Sequence, residues 1–243
     1  MNHPALNMRN FEVVELVWET PDIFTLRLKP KTPEDAFHFL AGQWVYLHLL
    51  NPDGTIWARA AFSVLSPPSI SRDMFELGIK VYGDFTKRAS NLVPYDMVQL
   101  QGPFGVFTLE ESDTPIVMLG AGIGVTPLLC MVQDLIDRHS GRAVTFFYSN
   151  KIVEDIAYFE RFREIKKHNS NVNIVQTLTQ KTYAGWDGEM GRINGEMIKK
   201  YVSDLVGVKY YMCGPKDFME SIKIFLESES VNVKDCLKQE RFD

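Results

Sequence analysis

The period of the apolar residues changes part-way along the chain, and this change constrains the fold more than any single motif. Up to about residue 108, apolar and polar residues alternate, as in FTLRLK (24–29) and FELGIKVYG (75–83). Turn sequences separate these segments, for example NPDG (51–54) and SPPS (66–69). Short alternating segments between turns are typical of antiparallel sheets, and closing such a sheet removes its exposed edges. The first part of the chain is therefore predicted to form an antiparallel β-barrel or sandwich.

After about residue 113, short apolar runs alternate with segments of helical period. The run PIVML (115–119) precedes a glycine-rich turn and then TPLLCMVQDLIDRH (126–139), whose apolar residues recur at helical spacing. Three further apolar runs precede helix-like segments: AVTFFYS (143–149), VNIVQTL (172–178) and VKYYMCG (208–214). Strands that alternate with helices predict a parallel sheet covered on both faces. We therefore expect an antiparallel β-barrel domain over residues 1–110 and an α/β parallel-sheet domain over residues 111–243.

Composition and charge narrow the classes of function. The net charge of the 243-residue chain is −5 and its Lys and Arg residues form no long runs, which argues against nucleic-acid binding. No apolar run reaches the roughly 18 residues needed to cross a bilayer, so we expect no membrane span. The N-terminal sequence MNHPALNMRNFEVVE has no apolar signal core, which predicts a cytoplasmic location. Cys130, Cys213 and Cys236 are far apart, which argues against a disulfide framework or a metal site.

The glycine-rich turn GAGIGVTP (120–127) is the first candidate for chemistry. Small residues let backbone N–H groups approach phosphate oxygens, and the start of the following helix favours negative charge. Thr126 is placed to cap that helix, and Pro127 suits its first turn. Val125 stands where the dinucleotide fingerprint has its third glycine, so the turn alone fits a packing role as well as nucleotide binding. Its candidate nucleotide-binding residues are Gly120, Gly122, Gly124 and Thr126.

Six motifs occur in a set order along the chain. They are ARAAFSVLS (58–66), YGDFT (82–86), GPFGVF (102–107), GAGIGVTP (120–127), YMCGP (211–215) and ERFD (240–243). Together they resemble the ferredoxin–NADP reductase superfamily in its small two-domain form. The resemblance implies an antiparallel barrel that binds FAD, followed by an α/β domain that binds NADP or NAD. This division matches the two parts of the chain that differ in hydrophobic period.

The resemblance implies flavin contacts in the first domain. Phe62 occupies the position of the ring that stacks on the isoalloxazine, and Ser63 that of the hydroxyl that hydrogen-bonds near flavin N5. The family's arginine position holds Ala60, and Arg59 lies one residue earlier. One residue along a strand reverses the side-chain direction. Either a bulge brings Arg59 round to the flavin, or the flavin pyrophosphate lacks this contact.

Two further segments of the first domain match the family. In GDFT, the resemblance implies that Gly83 frees the backbone and that the Thr86 hydroxyl and nearby N–H groups meet the flavin pyrophosphate. Thr86 can also serve as a helix cap, and both roles are compatible. The preceding strand resembles the one whose backbone lines the flavin edge, which implies contacts from Lys80 and Val81.

The resemblance also implies site residues in the second domain. Cys213, at the end of a predicted parallel strand, would pack beside the nicotinamide, and Gly214 and Pro215 complete its motif. Glu240 would assist proton or partner coupling, and Phe242 would cover the flavin face that the nicotinamide must reach. The alternatives are a buried structural cysteine and a frayed tail.

The segment SNKIVED (149–155) bears on the choice between NADPH and NADH. Ser149 and Lys151 can bind a 2′-phosphate, and no carboxylate follows directly to bind a 2′-hydroxyl. This segment therefore favours NADPH.

The residues and the resemblance together predict a flavin-dependent oxidoreductase. It would pass hydride from NAD(P)H to FAD and electrons on to an acceptor protein such as ferredoxin or flavodoxin, or to an oxygenase component. One alternative is a reductase of free flavin or another small acceptor, which the displaced arginine favours. An alternative of another class is a non-catalytic electron-transfer scaffold.

Overall fold

The computed structural model describes residues 6–181 and 184–242, which form two compact units. The first unit contains the chain up to Leu109 together with Leu129–Asp137. The second contains Glu110–Leu128 and the chain from Arg138 onward. One unit is built on an antiparallel sheet and the other on a parallel sheet, so the fold class predicted from the change of period is confirmed.

The first unit is a barrel of six antiparallel strands with one helix. Its elements are β1 (Met8–Trp18), β2 (Ile23–Pro30), β3 (Trp44–Leu50), β4 (Ile56–Ser63), β5 (Phe75–Lys80), α1 (Gly83–Ala89) and β6 (Met97–Phe104). The strand order is β4-β3-β6-β1-β2-β5. A bridge between Val64, which follows β4, and Leu77 of β5 joins the two edge strands and closes the barrel.

Strand β3 shows how alternation builds this barrel. Val45, Leu47 and Leu49 are at most 1% exposed and point into the core, while the intervening side chains point to the other face. Burying an aliphatic side chain of this size contributes about 1.5–3 kcal/mol to stability. The alternating apolar residues of the sequence therefore supply the core of the first unit.

The second unit is a parallel sheet with helical connections. Its elements are β7 (Ile116–Ala121), α2 (Val125–Asp137, shared with the first unit), β8 (Val144–Asn150), α3 (Phe159–His168), β9 (Val172–Leu178), β10 (Glu189–Met190), α4 (Gly195–Tyr201), β11 (Lys209–Gly214), α5 (Lys216–Ser228), α6 (Val233–Cys236) and β12 (Leu237–Arg241). The strand order is β10-β9-β8-β7-β11-β12. From β7 the chain first builds one side of the sheet and then crosses to the other side with β11. Ligands bind at the carboxyl ends of parallel strands beside such a reversal.

The apolar run of β7 is explained by its central place in this sheet. Every residue from Ile116 to Leu119 is at most 1% exposed, as expected for a parallel strand whose two faces are both covered. The longest described helices, α2 and α5, have 13 residues each. No helix in the described ranges is long and apolar enough to cross a membrane.

Candidate active site

The glycine-rich turn follows the carboxyl end of β7, at the point in the sheet where the strand order reverses. Gly122 has a φ of +54°, a left-handed conformation that glycine adopts without strain, and no atom lies within 4 Å of where its Cβ would be. Gly124 has a different requirement, because a Cβ there would lie 2.3 Å from the Cys213 carbonyl oxygen. The turn is therefore open at Gly122 and packed against the end of β11 at Gly124.

Three residues assigned to the site from sequence lie side by side across the sheet. In the parallel register, Gly120 of β7 pairs with Cys213 of β11, which in turn pairs with Glu240 of β12. Cys213 is fully buried and Glu240 is half-buried. Gly214 also sits in a close-packed position, because a Cβ there would lie 3.2 Å from the Ala121 Cβ. The fold thus brings the glycine turn, the Cys213 motif and Glu240 to one edge of the sheet.

The environment of Cys213 determines its chemistry. Burial raises the pKa of the Cys213 thiol well above its ordinary value, and the Glu240 carboxylate adds to this shift. The thiolate is the nucleophilic form of cysteine, and its fraction grows only as the pH approaches the pKa. At neutral pH Cys213 is therefore a neutral, apolar group rather than a nucleophile.

We expect the three cysteines to differ in reactivity toward iodoacetamide in the native protein. Cys130 and Cys213 are fully buried, and burial raises the pKa of Cys130 to about 12, so both should resist labelling at neutral pH. Cys236 is half-buried and should be labelled first. Mass spectrometry of the labelled chain measures this order, with the denatured chain as the control in which all three react. Rapid labelling of native Cys213 at neutral pH would contradict the expectation.

The structure corrects the predicted capping role of Thr126. Helix α2 begins at Val125, directly after a 3-10 turn at Gly122–Gly124, so Thr126 lies inside the helix rather than before it. Its hydroxyl donates to the Ile123 carbonyl oxygen at 3.1 Å, and the residue is 1% exposed. Thr126 therefore fastens the turn to the helix.

Ser149 and Lys151 lie at the carboxyl end of β8, one strand away from the glycine turn. Ser149 pairs with Ala121 of β7 on one side and with Thr177 of β9 on the other, whereas Lys151 is exposed in the following loop. Between them, Asn150 is 6% exposed, and its Nδ2 has no hydrogen-bond partner within the described ranges. Buried amide donors normally have an acceptor. Sequence reasoning missed Asn150, whose only signal was its place at the end of a parallel strand.

Strand β4 carries the assigned flavin-stacking residue and the displaced arginine. Its register pairs Phe62 with Val45 and Arg59 with His48 without a shift between them, so Phe62 and Arg59 point to opposite faces. On its own face, the Arg59 guanidinium lies 4.3 Å from the centre of the Tyr46 ring. The structure therefore corrects the alternative in which a bulge brings Arg59 round to the Phe62 face.

Helix α1 packs on the Phe62 face of β4. The Phe85 ring stacks on the Phe62 ring, with 6.0 Å between ring centres and 30° between ring planes. At the start of the helix, Thr86 Oγ1 accepts the Tyr82 N–H at 2.6 Å and donates to the Gly83 carbonyl oxygen at 3.3 Å. Thr86 thus lies inside the helix, whose N-cap is Tyr82, and its hydroxyl is bonded to the backbone of the first turn. Its assigned contact with the flavin pyrophosphate stays a prediction.

At the end of β5, Lys80 and Val81 both contact Asp22. The Lys80 ammonium lies 2.9 Å from an Asp22 carboxylate oxygen, and the Val81 N–H donates to the Asp22 carbonyl oxygen at 2.7 Å. A contact between Val81 and the flavin would therefore use its carbonyl group or side chain. The assignments of Lys80 and Val81 to the flavin edge stay predictions.

The structure gives the positions of three other residues that were assigned to the site from the sequence. Ser63 pairs with Trp44 at the end of β4 and is 3% exposed. Pro215 directly precedes α5. Phe242 follows β12 and is half-buried, and Asp243, the last residue of its motif, lies outside the described residues. The role assigned to each stays a prediction.

The two parts of the chain match two known domain types. Residues 10–109 match the oxidoreductase FAD-binding domain, and residues 118–223 match the oxidoreductase NAD-binding domain. A barrel followed by a parallel sheet with a glycine turn at its reversal point thus defines a two-domain oxidoreductase that binds a flavin and a nicotinamide dinucleotide. The chain therefore belongs to the oxidoreductases that combine an FAD-binding domain with an NAD-binding domain.

Relatives and structural neighbours agree with this family. The chain is 30% identical to the reductase component of propane 2-monooxygenase from Mycolicibacterium goodii, over 90% of this chain and 64% of that protein. It is 28% identical to the reductase component of phenol 2-monooxygenase from Pseudomonas sp. strain CF600, over 91% of this chain and 62% of that protein. The chain thus spans about three fifths of the length of these curated relatives.

Among solved structures, the fold is similar to that of a ferredoxin NADP+ reductase from Neisseria gonorrhoeae with bound FAD and NADP. The TM-score is 0.79 at 18% identity, over 96% of this chain and 98% of that chain. A flavohemoglobin from Malassezia yamatoensis has a TM-score of 0.83 at 23% identity, over 97% of this chain and 60% of that chain. At these identities the likeness concerns the fold.

Proposed function

We propose that the protein is an NAD(P)H-dependent flavoprotein reductase that passes electrons from NAD(P)H through FAD to a separate acceptor. The observation that carries this proposal is the glycine turn at the strand-order reversal, packed against the end of β11 at Gly124. It occurs in a chain whose other unit matches the FAD-binding domain. Both dinucleotides that the reaction needs are therefore matched by features of this chain.

The described residues of the second unit fit a nicotinamide dinucleotide. The space beside Gly122 leaves the backbone of the turn open to a phosphate, and α2 begins directly after the turn, so its positive end supports negative charge. Asn150, whose Nδ2 has no hydrogen-bond partner within the described ranges, ends β8, and the exposed Lys151 follows it, where the ribose of a dinucleotide binds in such sheets. We assign the pyrophosphate to the turn and the adenosine ribose to the end of β8.

The first unit fits a flavin at the Phe62 face of β4. The half-buried Phe62 ring offers a flat apolar surface, and Ser63 offers a hydroxyl at the end of the same strand. When bound at the Phe62 face, FAD would supply a hydride acceptor that can pass electrons on singly or as a pair. The residues of the barrel orient the flavin ring, and orientation supplies much of the rate of such a transfer.

Cys213, at the carboxyl end of β11, would help to position the nicotinamide and would not act as an acid or a base. The protonated Cys213 thiol offers a neutral surface, and hydride transfer itself needs no general base. The Glu240 carboxylate, in register with Cys213, is the group at this edge that can take up or release a proton. We assign Glu240 to the uptake or release of a proton that accompanies electron transfer to the acceptor.

We propose that the acceptor is a protein, either a ferredoxin or flavodoxin or the oxygenase component of a monooxygenase. The names of two relatives, both reductase components of monooxygenases, support this assignment. A second candidate is reduction of free flavin, which the alanine at position 60 favours because the family's arginine contact to the flavin pyrophosphate is absent. The two candidates differ in how tightly the protein holds FAD.

Steady-state assays with and without added FAD test the proposal. We expect the purified protein to bind FAD, to lose its yellow colour when NAD(P)H is added without oxygen, and to reduce a ferredoxin, a flavodoxin or an oxygenase component. A protein that reduces added flavin but no acceptor protein would support the second candidate. A protein that is inert with every flavin and acceptor would overturn both and favour a scaffold.

Replacing Lys151 with alanine is expected to weaken NADPH binding selectively. A charge-assisted hydrogen bond contributes roughly 1.5–3 kcal/mol, so the KM for NADPH should rise about tenfold or more while the KM for NADH changes little. Steady-state kinetics with both dinucleotides measure the effect. Lys223→Ala is the matched control, because Lys223 is an exposed lysine of α5 that pairs with Glu227. Equal effects of Lys151→Ala on both dinucleotides would discard the assignment.

A further inference from the structure

A bulge in β4 brings Trp57 to the face of the strand that carries Phe62. The register pairs Leu49 of β3 with Ala58, but the next residue, Leu50, pairs with Ile56, so Trp57 is an extra residue. Phe62 and Trp57 are five positions apart, and in an unbroken strand an odd separation puts side chains on opposite faces. The extra residue reverses this alternation.

The result is a series of three aromatic rings. The Phe85 ring of α1 lies 6.0 Å from the Phe62 ring and 6.1 Å from the Trp57 ring, measured between ring centres. The planes of Trp57 and Phe85 differ by 16°. Trp57 remains 39% exposed, so its ring is accessible to a ligand. The aromatic surface that begins at Phe62 therefore continues for two stacking steps and ends at an accessible indole.

A positive charge accompanies the exposed ring. The Arg88 guanidinium, one turn after Phe85 on α1, lies 4.4 Å from the centre of the Trp57 ring. Its Nη2 donates to the Leu50 carbonyl oxygen at 2.8 Å, which holds the side chain in place. Within the described ranges no carboxylate pairs with Arg88, so its charge and its other N–H donors are available to an anion. Arg59 lies on the opposite face of β4, where its guanidinium lies over the Tyr46 ring and donates to Gln101 Oε1.

We propose that Trp57 and Arg88 bind the adenosine monophosphate half of FAD, with Arg88 at the phosphate and Trp57 against the adenine. This inference rests on the proposed function, which assigns the flavin ring to Phe62. A flavin mononucleotide ends at its phosphate, whereas FAD continues with a second phosphate and an aromatic base. A guanidinium and an indole suit those two added groups, because one binds phosphate and the other stacks on a base. The pair would make the barrel select FAD over FMN and would supply the positive charge that position 60 lacks.

Binding titrations of the flavin-stripped chain with FAD and FMN, followed by flavin fluorescence, test this assignment. Stacking on an aromatic side chain contributes about 1–3 kcal/mol per base, so Trp57→Ala should weaken FAD binding about tenfold or more and leave FMN binding nearly unchanged. Arg88→Gln, which removes the charge but keeps most of the side chain, should also lower the preference for FAD. Arg59→Ala is the matched arginine control, and Trp18→Ala, at a 50% exposed tryptophan of β1, is the matched aromatic control. Neither control should change the ratio of the FAD and FMN dissociation constants.

The outcomes separate this inference from the proposed function. An equal loss of FAD and FMN affinity in Trp57→Ala, or no loss of either, would overturn the inference while leaving a flavin-binding barrel in place. If the Trp57 variant does not fold, as judged by circular dichroism, Arg88→Gln decides the question by the same ratio. A wild-type chain that binds neither flavin would overturn the proposed function and this inference with it.

Discussion

Replacing Gly124 with alanine is expected to lower the stability of the second unit and to abolish most NAD(P)H binding. A Cβ at this position would lie 2.3 Å from the carbonyl oxygen of Cys213 and 2.9 Å from the backbone nitrogen of Gly214. These are backbone atoms of a central strand, so they cannot rotate away as a flexible side chain would. Overpacking of this kind costs about 1–3 kcal/mol, and the forced separation of the turn from β11 would displace the proposed pyrophosphate site.

Thermal unfolding and dinucleotide titration measure the two effects of Gly124→Ala. Gly141→Ala is the matched control in the same unit, because Gly141 is exposed and no atom lies within 4 Å of where its Cβ would be. We expect that control to change the free energy of unfolding by less than about 0.5 kcal/mol. Unchanged stability and unchanged NAD(P)H affinity in Gly124→Ala would show that the end of β11 yields, and the turn would then lose its place in the proposed site.

Replacing Ser63 with alanine is expected to slow the reduction of bound FAD by NAD(P)H about a hundredfold, the size typical of one lost polar contact to a reacting group. The hydroxyl is assigned to flavin N5, and the residue is 3% exposed at the end of β4, so solvent cannot easily replace it. NAD(P)H affinity should change little, because this serine is assigned to the flavin and not to the dinucleotide. Anaerobic stopped-flow absorbance at several NAD(P)H concentrations separates the rate from the affinity.

A second serine serves as the control for this measurement. Ser90 follows α1 in the same unit, its hydroxyl donates to the Lys87 carbonyl oxygen at 2.9 Å, and no flavin contact is assigned to it. Ser90→Ala should leave the reduction rate unchanged. If Ser63→Ala reduces bound FAD at the wild-type rate, the N5 assignment is refuted, whatever its effect on stability.

The predicted and observed structures agree where local pattern decides the outcome. The alternation in β2 and β5 predicts strands of an antiparallel sheet and the apolar run of β7 predicts a strand of a parallel sheet, both without knowledge of the pairing. The glycine turn is similarly local, because it needs only a strand before it and a helix after it. The predicted cap at Thr126 was the local error, since it would start the helix at Pro127, whereas α2 starts two residues earlier at Val125.

Other site features depend on contacts between distant segments. Gly124 is required because β11, which lies about ninety residues later in the sequence, passes beside the turn. The side of β4 on which Arg59 lies follows from its register with β3, and the position of the bulge follows from the same pairing. The lack of an acceptor for Asn150 Nδ2 among the described residues is likewise evident only once the neighbouring strands are in place.

By itself, the sequence determined the two sheets, their order along the chain and the motifs that mark a flavin- and nicotinamide-binding oxidoreductase, because hydrophobic period and turn residues act over a few neighbouring positions. Only the tertiary structure decided which side chains share a face of a sheet: Trp57 rather than Arg59 lies on the Phe62 face of β4, and Glu240 pairs with Cys213. The physical reason is that a shift of one residue in strand pairing reverses every side chain beyond it, and pairing is set by partners far away in the sequence.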